Sequence, residues 1–138
     1  MESLRLAYNP GPINAYGALS PKEGETLTTE MNPALLVSYV YLKPFLANKH
    51  KYVFRDWVMD SGGFSAWKSG TEINLQEYID TCLHLLETDD KLTEVFALDV
   101  IGDWEASLRN TEEMWRQGVP AIPAYHPGEP EAALLEMA

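Results

Sequence analysis

The chain is 138 residues long, 46% hydrophobic, with a formal net charge of −11. That fits one domain able to bury a core, and no apolar run approaches the roughly 20 residues needed to cross a bilayer as a helix. The acid is concentrated. Residues 1–69 carry seven Lys/Arg against six Asp/Glu, and residues 70–138 carry three against fifteen, which argues against nonspecific polyanion binding by the second half.

Along the chain the pattern predicts strands alternating with helices. Leu4–Tyr8 reads as a first strand, broken by Asn9-Pro10-Gly11-Pro12, and residues 14–32 read as a long loop. Ala34–Tyr39 is a second strand and Tyr41–Asn48 a short helix, with Pro44 tolerable in its first turn. Lys43, Lys49, His50, Lys51 and Arg55 fall close together. They read as a solvated loop face, with a small phosphate-contacting edge as the alternative. Tyr52–Met59 is a third strand, running into Asp60-Ser61-Gly62-Gly63-Phe64-Ser65. Asn74–Thr88 is the clearest helix. Asn74 can cap it, Glu77 lies at the capping-box spacing, and Leu75, Tyr78, Ile79, Cys82, Leu83 and Leu86 form one apolar stripe. Val95–Ile101 is a fourth strand, continuously apolar except for Asp99, as expected of a strand covered on both faces. Glu105–Gln117 is expected to be helical in two pieces around Asn110-Thr111, with Gly118 closing it. Val119–Tyr125 is a fifth strand, although Pro120 and Pro123 are unusual in a central one. His126-Pro127-Gly128 then turns toward a helix near Pro130 that stops in mid-pattern at Ala138.

This alternation predicts an α/β fold with a parallel sheet. Four to five such units make about half of a (β/α)8 barrel. The expectation is therefore a single partial barrel domain over residues 1–138, the front part of something longer. No Gly-x-Gly-x-x-Gly or Walker pattern follows any strand, so a nucleotide-phosphate cradle is not supported. Cys82 is the sole cysteine, which excludes an internal disulfide and a multi-cysteine zinc site. Neither a metal nor a cofactor is expected. No basic stretch leads into an apolar core at the N-terminus, and a soluble cytoplasmic protein is expected.

The most informative stretch is Asp60-Ser61-Gly62-Gly63-Phe64. An acid and a hydroxyl end a strand, two glycines allow a tight turn and close approach, and a phenyl ring follows. In parallel α/β proteins the carboxyl ends of strands carry the chemistry. An ordinary capped βα loop is the alternative. Asp99, alone among apolar neighbours, needs a partner or a ligand. The alternative for it is a buried carboxylate held by backbone N–H groups. Asp103 fits a helix cap. Trp57, Trp67, Trp104 and Trp115 are most simply core or interface rings, and Trp67 and Trp104 stand near strand ends, where either could wall a pocket.

Asp60-Ser61-Gly62-Gly63-Phe64 resembles the Asp-Ser-Gly-Gly-(Phe/Tyr) signature of the tRNA-guanine transglycosylase superfamily, which are (β/α)8 barrels that exchange guanine for a 7-deazaguanine in a nucleic acid. Phe96-Ala97-Leu98-Asp99 is similar to that family's next base-reading strand. The order Asp60, Asp99, Tyr125-His126 follows the family's order of strands, and the likeness runs closest to short, zinc-free phage relatives linked to 7-deazaguanine in DNA. The resemblance implies that Asp60 handles the proton of the incoming base and that Ser61 hydrogen-bonds it. Gly62 and Gly63 would admit the base, and Phe64 would stack on it. Asp99 would accept from its N1–H and exocyclic amine. His126 stands where the family has a glutamine that reads the base carbonyl, and Ser65 replaces a common glutamine. The family's nucleophilic Asp and its zinc ligands belong to later strands and are not expected within these residues. The implied ligands are guanine or a 7-deazaguanine base, with tRNA or DNA as the polymer, no membrane, and a homodimer or second chain to complete the barrel. Two further readings stay open: a noncatalytic, partner-completed base-binding protein, and an unrelated barrel hydrolase using Asp60 and Asp99 as an acid–base pair.

Overall fold

A computed structural model describes residues 6–8 and 33–124. Four parallel strands lie side by side in chain order: β1 (Leu6–Ala7), β2 (Ala34–Ser38), β3 (Asp56–Asp60) and β4 (Leu92–Val95). Helix α1 (Leu42–Asn48) joins β2 to β3. Helices α2 (Gly63–Ser69) and α3 (Leu75–Thr88) join β3 to β4, and α4 (Trp104–Arg116) follows β4. The protein is thus an α/β fold with a parallel sheet alternating with helices. Beyond β4, Phe96 bridges to Ile122 in parallel, with Ala97 N donating to Ile122 O and Ile122 N to Val95 O. The fifth expected strand therefore contributes one bridge within the described residues. Pro120, two residues before Ile122 and so on the same side of the chain, has no N–H to extend the ladder.

Register shows how the core is built. Leu35 and Val37 stand beside Trp57 and Met59, which stand beside Leu92 and Val95. All six are buried in one cluster with Phe45 of α1, Ile79 and Cys82 of α3, and Met114 of α4. Side chains alternate across a strand, so these helices pack on a single face of the sheet. The alternate residues Leu36, Ser38, Val58 and Asp60 belong to the other face and lie outside that cluster. Phe45 meets Trp57 with ring centroids 4.9 Å apart and Tyr8 edge-on at 5.2 Å, tying α1 to β3 and to the residue that follows β1.

Several boundaries differ from the sequence reading. The third strand starts at Asp56 rather than near Tyr52, because a 3-10 turn over Lys49–Lys51 holds Tyr52 N on Lys49 O, and it includes Asp60. The fourth is Leu92–Val95 rather than Val95–Ile101. The apolar run Ala97-Leu98 is buried in loop instead, and Asp99 lies four residues past the strand end. Helix α2 was not expected. It is short, begins at the second glycine and is closed by Gly70 at φ 74°. In α3, Asn74 Oδ1 accepts from Glu77 N at 2.9 Å as expected. Leu85 is buried while Leu83 is exposed, since Leu83 lies about 100° around the helix from Cys82. Helix α4 is continuous. Thr111 donates to Ser107 O and Asn110 to Leu98 O, so neither side chain interrupts the helix. Leu4, residues 14–32, Tyr125, His126 and the expected last helix lie outside the described residues.

The basic cluster is partly neutralised. Lys49 Nζ sits 2.5 Å from Asp89 Oδ2, and Arg55 Nε 2.8 Å from Asp56 Oδ2. Burial alone would raise the Asp89 pKa, but hydrogen bonds from Lys49 and the Lys91 N–H outweigh it and hold the carboxyl below its ordinary range.

Candidate functional site

Strands β3 and β4 are parallel, so their carboxyl ends share one edge of the sheet. Asp60 is the last residue of β3. Ser61 follows, fully buried. Its Oγ donates to Asp99 Oδ1 at 2.8 Å and accepts from Gly63 N at 3.1 Å. One hydroxyl thus joins the first motif to the second across 38 residues and caps the first turn of α2.

The two glycines serve different physical ends. Gly62 has φ 79°, a left-handed conformation that a Cβ penalises. It is also crowded, since a Cβ there would lie 2.9 Å from Ser38 Oγ. At Gly63 the constraint is contact. A Cβ would stand 2.5 Å from the Asp99 carbonyl oxygen and 2.7 Å from its Oδ1. The helix start and the acidic loop touch backbone to backbone, and only glycine permits it.

The Asp99 loop is held from three sides. Below it, Tyr78 of α3 donates from its hydroxyl to Phe96 O at 2.6 Å. On either side of Asp99, Asn110 Nδ2 donates to Leu98 O at 3.2 Å, and Val100 N donates to Ser107 Oγ at 2.7 Å. Asp103 Oδ1 accepts from Ala106 N and caps α4, as its position in sequence suggested. The buried face of α4 carries Ser107 because it clamps this loop as well as packing on the core, and the buried Thr111 donates back to Ser107 O within the helix.

Burial, then the nearby Cys82 and the carboxylates Asp60 and Asp99, push the Tyr78 hydroxyl well above its usual pKa. Both carboxylates therefore act on the same buried hydroxyl. The Cys82 thiol is pushed up to about 12, by burial that outweighs a hydrogen bond with Tyr78. It is an inert thiol rather than a nucleophile.

Phe64 points largely to solvent, 55% exposed, with its ring tilted against Trp67 at 5.8 Å. A cleft of about 360 Å³ opens beside the pair, between α2 and the Asp99 loop. Trp67, Asp99 and Gly63 line it, together with Glu72, Ile73 and Asn110, whereas Asp60, Ser61 and Phe64 do not. The structure thus brings together Asp60, Ser61, Gly62, Gly63 and Asp99, places Phe64 at their margin, and leaves His126 outside the described residues. Sequence reasoning missed Tyr78, Ser107 and Asn110 as supports of Asp99. The sequence presents Tyr78 only as part of an apolar stripe and Asn110 as a break between two helical pieces, and it gives Ser107 no distinguishing signal. The signal for Tyr78 and Asn110 was polar side chains at helical spacing on the inward face of α3 and α4. Among the described residues, no group of three or more His, Cys, Asp or Glu is placed to hold a metal ion, and no helix is long and apolar enough to cross a membrane. Comparison with family models, with curated proteins and with solved structures finds no match to this chain.

Proposed function

We propose that this chain carries the base-reading half of a transglycosylase-like pocket, set on the front part of a (β/α)8 barrel. The observation that carries the reading is the Ser61–Asp99 hydrogen bond at 2.8 Å. It joins the two motifs that the resemblance assigns to one base, at one edge of the sheet. The barrel reading is supported by strand order and layering. The strands run β1-β2-β3-β4 without reversal, and the clustered helices lie on one face. A doubly wound sheet reverses its order and covers both faces.

In this reading the Asp99 carboxylate accepts from the N1–H and exocyclic amine of guanine or a 7-deazaguanine. A carboxylate suits that edge because it can accept two parallel N–H bonds. Ser61 orients Asp99 through its own O–H. Gly63 lets the backbone approach without a Cβ in the way. Asp60 takes the proton of the incoming base, Phe64 closes over its face, and His126 reads the carbonyl. Base exchange would then need a carboxylate on a later strand to displace guanine from the anomeric carbon. The 7-deazaguanine nitrogen would attack that glycosyl-enzyme and restore the carboxylate. The polymer would be tRNA or DNA.

The test is calorimetric titration with guanine and with hypoxanthine, which lacks the exocyclic amine. Asp99→Asn should weaken guanine binding by roughly 10- to 150-fold, the worth of a charge-assisted bond, and hypoxanthine binding less. Equal losses for the two bases, or no guanine binding by the parent chain, would reject the reading.

A further inference from the structure

The cleft between α2 and the Asp99 loop shares Gly63 and Asp99 with that pocket, but Trp67, Glu72 and Ile73, which also line it, have no part there, and its chemistry is specific. Its volume, about 360 Å³, lies in the range of small-molecule sites. One wall is the Trp67 indole, 58% exposed although it lies beside a concave surface. The base is apolar, with Ile73, Leu98 and Ile101 among its lining. The charged groups that face it are Glu72 and Asp99, both acids, and no Lys, Arg or His lines it. Asn110 gives one amide N–H to Leu98 O, which leaves its second N–H and its amide oxygen, a neutral group that sets no charge preference.

An apolar floor, an aromatic wall and acceptors without a cation define a ligand class. Anions meet two carboxylates and no donor side chain of opposite charge. A cation gains Coulomb attraction from Glu72 and Asp99 and can lie over the electron-rich face of Trp67. We propose that this cleft is a binding site for a small organic cation with a flat apolar body, an aromatic amidinium or ammonium, held between Trp67 and the carboxylates of Glu72 and Asp99. The proposal does not rest on the transglycosylase reading, because Trp67 and Glu72 take no part in it.

Benzamidinium, the isosteric anion benzoate and neutral benzamide are the probes. Each is titrated into the ¹⁵N-labelled full chain at low ionic strength and followed by amide and indole N–H shifts. Benzamidinium should bind and move the signals of the Trp67 indole, Thr71 and Ile73. Benzamide should bind more weakly, and benzoate should leave the spectrum unchanged. Trp67→Leu should weaken benzamidinium by about two- to fivefold, the worth of an exposed cation–π contact. Glu72→Gln should weaken it by about 1.4- to fivefold, as for an exposed ion pair, and remove part of the salt dependence. Both residues are exposed, so both variants should fold as the parent does. Shifts spread over the acidic faces of α3 and α4, equal binding of benzoate, or unchanged affinity in Trp67→Leu would each overturn the proposal. A chain that binds benzamidinium here and ignores guanine would reject the base-reading proposal and keep this one.

Discussion

Removing the Ser61 hydroxyl should expose how strongly the two motifs are coupled. In the parent, Ser61 is fully buried, donates to Asp99 Oδ1 and accepts from Gly63 N. Ser61→Ala therefore strands a buried N–H at the start of α2 and strips Asp99 of a donor. A hydrogen bond to a charged group is worth about 1.5–3 kcal/mol, and an unsatisfied buried group costs about 1–3 kcal/mol, so the variant should lose roughly 2.5–6 kcal/mol. Asp99→Asn keeps an oxygen that can accept from Ser61 but gives up the charge, and should lose less. The assay is urea unfolding of the parent, the two single variants and the double variant. A coupling energy of about 0.5–3 kcal/mol is expected for residues sharing a hydrogen bond. Additive losses, or a Ser61→Ala cost below about 0.5 kcal/mol, the size of an ordinary surface change, would refute the claim that this bond organises the site.

Two further predictions concern the frame. Gly62→Ala and Gly70→Ala impose nearly the same backbone strain, at φ 79° and 74°, but only Gly62 is crowded, so Gly62→Ala should cost more in urea unfolding and equal costs would contradict the packing around it. Lys49→Met removes the partner of a buried carboxylate and should destabilise by about 1.5–3 kcal/mol at neutral pH. Asp89 has a depressed pKa in the folded protein, so its contribution is present above the unfolded value near 3.9 and lost as pH falls toward the folded one. The gap between Lys49→Met and parent in unfolding free energy should therefore close below about pH 4, and a gap independent of pH would contradict the pairing.

How much of this was legible depends on what each signal encodes. The α/β class and the order of the strands follow from apolar runs separated by helical periodicity, and both are found. Strand ends were less legible. Val95–Ile101 looks like a buried strand because burial and apolarity go together, but Ala97 and Leu98 are buried in a loop packed under α4. Composition cannot distinguish a strand from a buried loop whose polar groups are met by side chains such as Asn110 and Ser107. Helix α2 was missed for a related reason. A seven-residue helix has room for two turns, and Phe64 and Trp67 on it are exposed, so it shows no apolar stripe. The pair of glycines that marked the motif also concealed the helix that starts on the second of them.

Asp60-Ser61-Gly62-Gly63 can also be read as a structural solution before any ligand is considered. Gly62 turns the chain, Gly63 meets the Asp99 backbone at a distance no side chain allows, and Ser61 supplies the hydroxyl between them. A purely structural role would satisfy all three. The group at 99 is what separates the two readings. An Asn there would accept the same hydrogen bond from Ser61, so that bond alone does not select an acid. Asp60 and Asp99 both act on the neighbouring Tyr78, holding its hydroxyl in the neutral form that donates to Phe96 O. If the charge at 99 serves only the frame, Asp99→Asn should lower guanine and hypoxanthine binding alike; if it serves a ligand's N–H groups, guanine should lose more.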